Sequence, residues 1–178
     1  MPDNIDIKIL SILQYYGRRH LAEIAKEVEL SPPAVMERVK KLEARGIIKG
    51  YHAVVDAKKV GKNITAFIGV SISHQRHIES FCLQMAGRED VLECHHVTGD
   101  ESFILKVKTA DTGSLEKLLA EIRSMEGVSQ TVTKVVLSTS RETQTLSLER
   151  AIQESAERGK SLGEGEEGRR LTGTLRKR

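Results

Sequence analysis

The chain has 178 residues, 30% charged and 39% hydrophobic, with 3% aromatics, no Trp and a net charge of +3. This describes a soluble protein with aliphatic cores, long enough for one domain or two small ones, and no apolar run approaches the ~18–20 residues of a membrane span. Two cysteines in separate elements and an N-terminus without a signal peptide's basic and apolar regions point to a reducing cytoplasm rather than a disulfide scaffold. Charge is unevenly spread: residues 1–62 carry 12 Lys/Arg against 8 Asp/Glu, while residues 63–140 carry 7 against 10. A basic first third beside an acidic middle is the asymmetry of one module that meets phosphates and another that meets protein or small ligand.

Asn4–Tyr16 places Ile5, Ile9, Ile12, Leu13 and Tyr16 on a helical stripe closed by Gly17, and Leu21, Ile24, Ala25 and Val28 form a shorter one. After Glu29-Leu30, Ser31 is an N-cap and Pro32 suits the first helical position. Val35, Val39 and Leu42 then form an inward stripe, Ala34, Glu37, Arg38, Lys41 and Arg45 project from the opposite side, and Gly46 supplies a left-handed stop. Three helices with a tight turn between the last two make a helix-turn-helix. Ile47–Val55, β-rich around Gly50, reads as a β-hairpin wing, so residues 1–55 form a winged helix-turn-helix domain. A cationic outer face with a small residue near its start suits the major groove; the same pattern also describes a solvated surface helix.

Residues 56–62 read as a linker. Beyond it, Asn63–Ser73 alternates as a strand, Arg76–Ala86 is helical, Val91–Thr98 and Ser102–Lys108 are strands about a Gly99-Asp100-Glu101 turn, Thr112–Met125 is helical, and Val128–Ser138 is a last strand. The fold class is therefore α+β, with residues 63–140 a ferredoxin-like βαββαβ sandwich. That topology leaves one sheet face without helices. Phe67 lies opposite the Ile series of the first strand, and Val128, Val132 and Val136 lie opposite Val135 and Leu137 on the last, so a homodimer is expected to cover the bare face.

These segments resemble the leucine-responsive regulatory protein/AsnC (feast/famine) family of transcription regulators. The likeness rests on Ile5-Asp6-Ile7-Lys8-Ile9-Leu10, Leu30-Ser31-Pro32, Glu37-Arg38-Val39, Leu42-Glu43, Gly46-Ile47-Ile48, Tyr51, Glu93-Cys94-His95 and Val97-Thr98-Gly99-Asp100, in family order across about residues 3–140. It implies double-stranded DNA as partner, dimers that assemble to tetramers, octamers or larger, and an amino-acid-like effector. Family DNA contacts map to Ser31, Pro32, Pro33, Ala34, Glu37, Arg38, Lys41 and Arg45. Ser31 and the backbone beside Pro32 are expected to meet phosphate, Arg38 and Lys41 base edges, and Ala34 a thymine methyl. Glu37 either accepts from cytosine or pairs with Lys41. Arg18, Arg19 and Lys49 flank this surface as phosphate contacts. The family's effector site maps to Gly99, Asp100, Ser102, Thr131 and Thr133. Ser102 stands where many members carry a second acidic residue, and Gly99-Asp100 also reads as an ordinary strand turn.

No catalytic constellation emerges, because His95 and Asp100 lack a nucleophile and the glycines stand singly, so no enzyme and no cofactor is expected beyond a possible amino-acid effector. No metal site is expected either: Cys94 and His96 share a strand face that His95 does not. Residues 141–178 form an extension, a weak amphipathic helix at Glu142–Arg158 followed by Gly-, Glu- and Arg-rich sequence too polar to bury a core. The reading is a cytoplasmic, nucleoid-associated transcription regulator whose effector shifts its assembly. The alternatives are an architectural DNA-binding protein with little effector response and a ligand-binding regulatory subunit of an enzyme.

Overall fold

A computed structural model describes residues 2–148. The described residues divide into two compact units, 2–53 with 143–148, and Val54–Glu142.

The first unit holds three helices: α1 (Asn4–Tyr15), α2 (Leu21–Glu27) and α3 (Pro32–Ala44). A capping box starts α1, with the Asp6 N–H donating to Asp3 Oδ1 at 2.8 Å and the Asp3 N–H to Asp6 Oδ2 at 3.2 Å. Glu29, at φ 57°, makes the left-handed turn between α2 and α3, a conformation uncommon outside glycine. Ile9, Ile12, Ile24, Ala25, Val28, Val35 and Val39 pack into one aliphatic core, and each such branched side chain stabilises the fold by roughly 1.5–3 kcal/mol on full burial. Gly46, at φ 66°, ends α3 as expected and turns Ile47 and Ile48 back so that both amides donate to the Leu42 carbonyl.

The expected β-hairpin wing does not form at Ile47–Val55: no strand lies there. Ile48 packs against the helical core, whereas Tyr51–Val55 are exposed. A two-stranded ribbon is marginal without a third element against which to bury a face. Instead the Tyr51 hydroxyl donates to Glu43 Oε1 of α3 at 3.0 Å, and although the residue as a whole is exposed, partial desolvation of the phenol together with that carboxylate pushes it up to about 12. The extension returns to this unit through a reciprocal pair, in which the Leu146 N–H donates to Gln14 Oε1 at 2.8 Å and Gln14 Nε2 to the Leu146 carbonyl at 3.3 Å. Residues 142–148 are not helical, contrary to the expectation for Glu142–Arg158, the remainder of which lies outside the described residues, as does the polar sequence after it.

The second unit opens with a 3-10 turn at Lys58–Val60, capped by Asp56 Oδ1, followed by β1 (Ile64–Ile72), α4 (Ile78–Ala86), β2 (Val91–His96), β3 (Phe103–Thr109), α5 (Thr112–Arg123) and β4 (Val128–Val135). The four strands form one antiparallel sheet in the order β2-β3-β1-β4, the βαββαβ sandwich that the sequence predicts. Ala66, Ile68, Val70, Phe103, Leu105 and Val107 line its inner face against Phe81, Met85, Leu115, Leu118 and Ile122 of the two helices. The first turn expected of α4 is a 3-10 turn at Gln75–His77.

A register shift between Ser71 and Ile72 corrects the stripe expected on the last strand. Ile72 pairs with Val128, which packs into the core, while Gly69 pairs with Val132 on the opposite face, so Val128 and Val132 do not share a side. The outer face carries Phe67, Ile104 and Val132, which are 39%, 36% and 37% exposed. On the same face Lys106, directly across from Phe67, pairs with Glu93 and Glu142, and Lys108 pairs with Glu142.

Candidate nucleic-acid interface and effector face

At about 100° per residue, the side of α3 directly opposite Val35, Val39 and Leu42 holds Glu37, Lys40, Lys41 and Ala44, all exposed. Lys40 was not among the expected contacts, although the same helical count places it there. Glu37 and Lys41 pair at 2.6 Å, and the Lys41 ammonium holds the Glu37 carboxyl below its ordinary value. This is the structural alternative for Glu37.

Arg38 departs from expectation. Position 38 borders the buried stripe, and its Nη1 donates to Asp3 Oδ2 and Asp6 Oδ1, each at 2.7 Å. Its guanidinium belongs to the α1–α3 contact rather than to the outer face with Lys41. Within that contact the Asp6 amide and the Arg38 guanidinium hold the Asp3 carboxyl below its ordinary value, and the two carboxylates raise that of Arg38.

The start of α3 also differs from an ordinary anion site. Pro32 and Pro33 have no N–H, the Ala34 amide donates to Ser31 Oγ at 3.4 Å, and the Val35 amide donates to the Ser31 carbonyl. Few of the donors that make a helix N-terminus bind phosphate remain. Pro32 and Pro33 thus bring no N–H to the expected backbone contact, and the Ser31 hydroxyl proton is a donor at that end. Ser31, Pro32 and Pro33 are exposed and Ala34 half-buried. Arg18, Arg45 and Lys49 are exposed, whereas Arg19 is engaged by Glu23 and Glu27 and lies over the Tyr16 ring at 5.3 Å.

On the sheet unit, Gly99 (φ 124°) and Asp100 form the exposed β2–β3 turn. Ser71 joins this turn to the start of β4: its Oγ donates to the Asp100 carbonyl at 3.2 Å, and its own carbonyl accepts from Ser129 Oγ at 3.0 Å. Ser102 is used structurally, against expectation, because its hydroxyl accepts from the Ile72 amide at 3.0 Å and its amide donates to the Val70 carbonyl, extending the β1–β3 ladder. The neighbouring acid is Glu101, whose side chain lies over Gly69: a Cβ there would come within 2.7 Å of Glu101 Cγ. A glycine inside a strand was the signal for that close approach.

Thr131 and Thr133 pair with Val70 and Ile68, which puts both on the helix-covered face. Thr131 Oγ1 accepts from Arg123 Nε at 2.8 Å, and Thr133 Oγ1 is buried with no partner among the described residues. Arg123, Val128, Ser129, Gln130 and Thr131 line a cavity of about 330 Å³. On β2, the opposite edge strand, His96 stacks on Phe103 at 4.9 Å, and burial pushes the Cys94 thiol up. Among the described residues no group of three or more His, Cys, Asp or Glu is placed to hold a metal ion, and no helix is long and apolar enough to cross a membrane.

Residues 65–146 match the Lrp/AsnC ligand binding domain, and residues 2–49 a winged helix-turn-helix DNA-binding domain. An HTH-type transcriptional regulator of Pyrococcus furiosus is 35% identical over 141 residues, 79% of this chain and 93% of that protein. The leucine-responsive regulatory protein of Escherichia coli is 35% identical over 138 residues, 76% of this chain and 84% of that one. Among solved structures, a Neisseria meningitidis transcriptional regulator in complex with L-Met aligns with a TM-score of 0.79 at 31% identity, covering 85% of this chain and 99% of that one. Escherichia coli AsnC aligns with a TM-score of 0.76 at 28% identity, covering 82% and 98%.

Proposed function

Because the chain belongs to the Lrp/AsnC family of transcription regulators, which join a DNA-binding helix-turn-helix to a ligand-binding domain, we propose that it reads double-stranded DNA as a homodimer or larger assembly and changes that assembly on binding an amino acid or a related metabolite. The observation that carries this reading is the outward face of α3, anchored by an aliphatic stripe and lined by Lys40 and Lys41, with Arg45 at its end. In the major groove these side chains reach base edges and phosphates, Ala34 meets a thymine methyl, and Glu37 stays with Lys41. Arg18 and Lys49 add salt-dependent phosphate contacts, and the Ser31 hydroxyl, beside Pro32 and Pro33, adds one more at the helix start. Arg38 acts as a positioning residue.

Two copies that bury Phe67, Ile104 and Val132 against each other remove an apolar face from water and bring two α3 helices to two half-sites. The L-Met bound by the Neisseria relative supports an amino-acid effector, for which Gly99, Asp100 and Thr131 are the candidate residues here. A ligand that prefers one assembly shifts the population toward it, and with it the DNA geometry served. The reading places the protein with the nucleoid in the cytoplasm and gives it no catalytic residue. Genome-wide mapping of bound DNA with and without a panel of amino acids tests it. Sharp pseudo-palindromic sites whose occupancy responds to an amino acid are expected; diffuse coverage indifferent to every amino acid contradicts it.

A further inference from the structure

The cavity at the end of α5 has a chemistry of its own. Its lining of Arg123, Val128, Ser129, Gln130 and Thr131 contains a cation, two hydroxyls and a carboxamide, and no acid. The nearby carboxylate of Glu121 is engaged by Arg88. At about 330 Å³ it falls at the lower end of the range for small-ligand pockets.

Arg123 is held in a defined orientation. Its Nε donates to Thr131 Oγ1 at 2.8 Å, and among the described residues neither Nη donates to anything. A guanidinium fixed through Nε presents its two Nη groups as a fork, the geometry that accepts a carboxylate or phosphate with two parallel hydrogen bonds. The Thr131 hydroxyl, having accepted from Nε, still has its own proton to donate. Two residues along the same face, Thr133 buries a hydroxyl without a partner among the described residues. Ser129 donates to the Ser71 carbonyl, and Ser71 in turn to the Asp100 carbonyl, which links the cationic cavity to the acidic Asp100-Glu101 turn.

We propose that Arg123 is the carboxylate-binding residue of the effector site, so that the ligand is a small carboxylate gripped at the Arg123 fork and Thr131. This rests on the reading that the sheet unit binds an effector.

Isothermal titration calorimetry of the full chain with each of the proteinogenic amino acids, and with the amide of whichever binds best, tests it. At least one amino acid binds, its amide binds at least 10-fold more weakly, and Arg123→Gln loses at least 10-fold in affinity with an unchanged melting temperature, while Arg123→Lys recovers part of the loss. If Arg123→Gln binds the same amino acid as tightly as the native chain, the assignment of Arg123 falls and the effector reading stands. If no amino acid binds the native chain, both fall.

Discussion

Arg38 Nη1 lies 2.7 Å from Asp6 Oδ1, a carboxylate whose side chain is only 13% exposed. The helix with the basic face is thus tied to the first turn of α1 by the residue that the sequence nominated as a base reader. The charge that holds α3 and the charges that face outward are different residues.

Removing that tie should cost stability before it costs recognition. Arg38→Ala loses two charge-assisted bonds that are partly screened by solvent, and chemical denaturation is expected to register about 1 kcal/mol. A variant as stable as the native chain would show the contact to be idle.

The same contact predicts an acid response. The folded state depresses the Asp3 carboxyl through the Asp6 amide first and the Arg38 guanidinium second. The stabilisation is therefore complete above the unfolded carboxylate value of about 3.9 and is lost as pH falls through the lower folded value. Asp3→Asn keeps a capping side chain without the charge, and its stability should vary less steeply with pH across that window than that of the native chain.

Two left-handed glycines should respond unequally to alanine. At Gly46 a Cβ meets nothing within 4 Å, so only the backbone conformation is penalised, by about 1–2 kcal/mol. At Gly127 (φ 88°) a Cβ would stand 2.5 Å from His77 Cβ and Cγ, adding steric conflict for a total of roughly 2–5 kcal/mol. Thermal melts of the two variants check the order.

The outer sheet face should control assembly. On that face Phe67 stands between Lys106 and Lys134, one row from Ile104 and Val132, so Phe67→Asp replaces its buried ring area by a charge within the interface, and sedimentation should show a shift toward monomer. An unchanged mass would move the interface elsewhere.

Much of this was legible in the sequence, and the failures have physical causes. The Ser31 cap, the Val35–Val39–Leu42 stripe, the Gly46 stop and the alternation of β1 are local patterns, and they read correctly. The hairpin at Ile47–Val55 failed because β-propensity describes a residue's fit to a sheet and no sheet is there to receive it. The tie of Arg38 to α1 was not legible because its partners lie on a capping box whose own pattern gives no sign of a third member. The Val128–Val132 stripe failed at a bulge, since one inserted residue reverses every side chain beyond it. The role of Ser102 in the β1–β3 ladder, and the grip of Arg123 on Thr131, required the register.

The central claim is that the outward face of α3 meets DNA, and the most direct test is affinity for a bound promoter fragment measured across a range of salt concentrations. With Lys40 and Lys41 both replaced by alanine, the slope of log affinity against log salt should fall by about two, one for each lost phosphate contact, together with a loss of affinity. An affinity and a slope equal to those of the native chain would contradict the account.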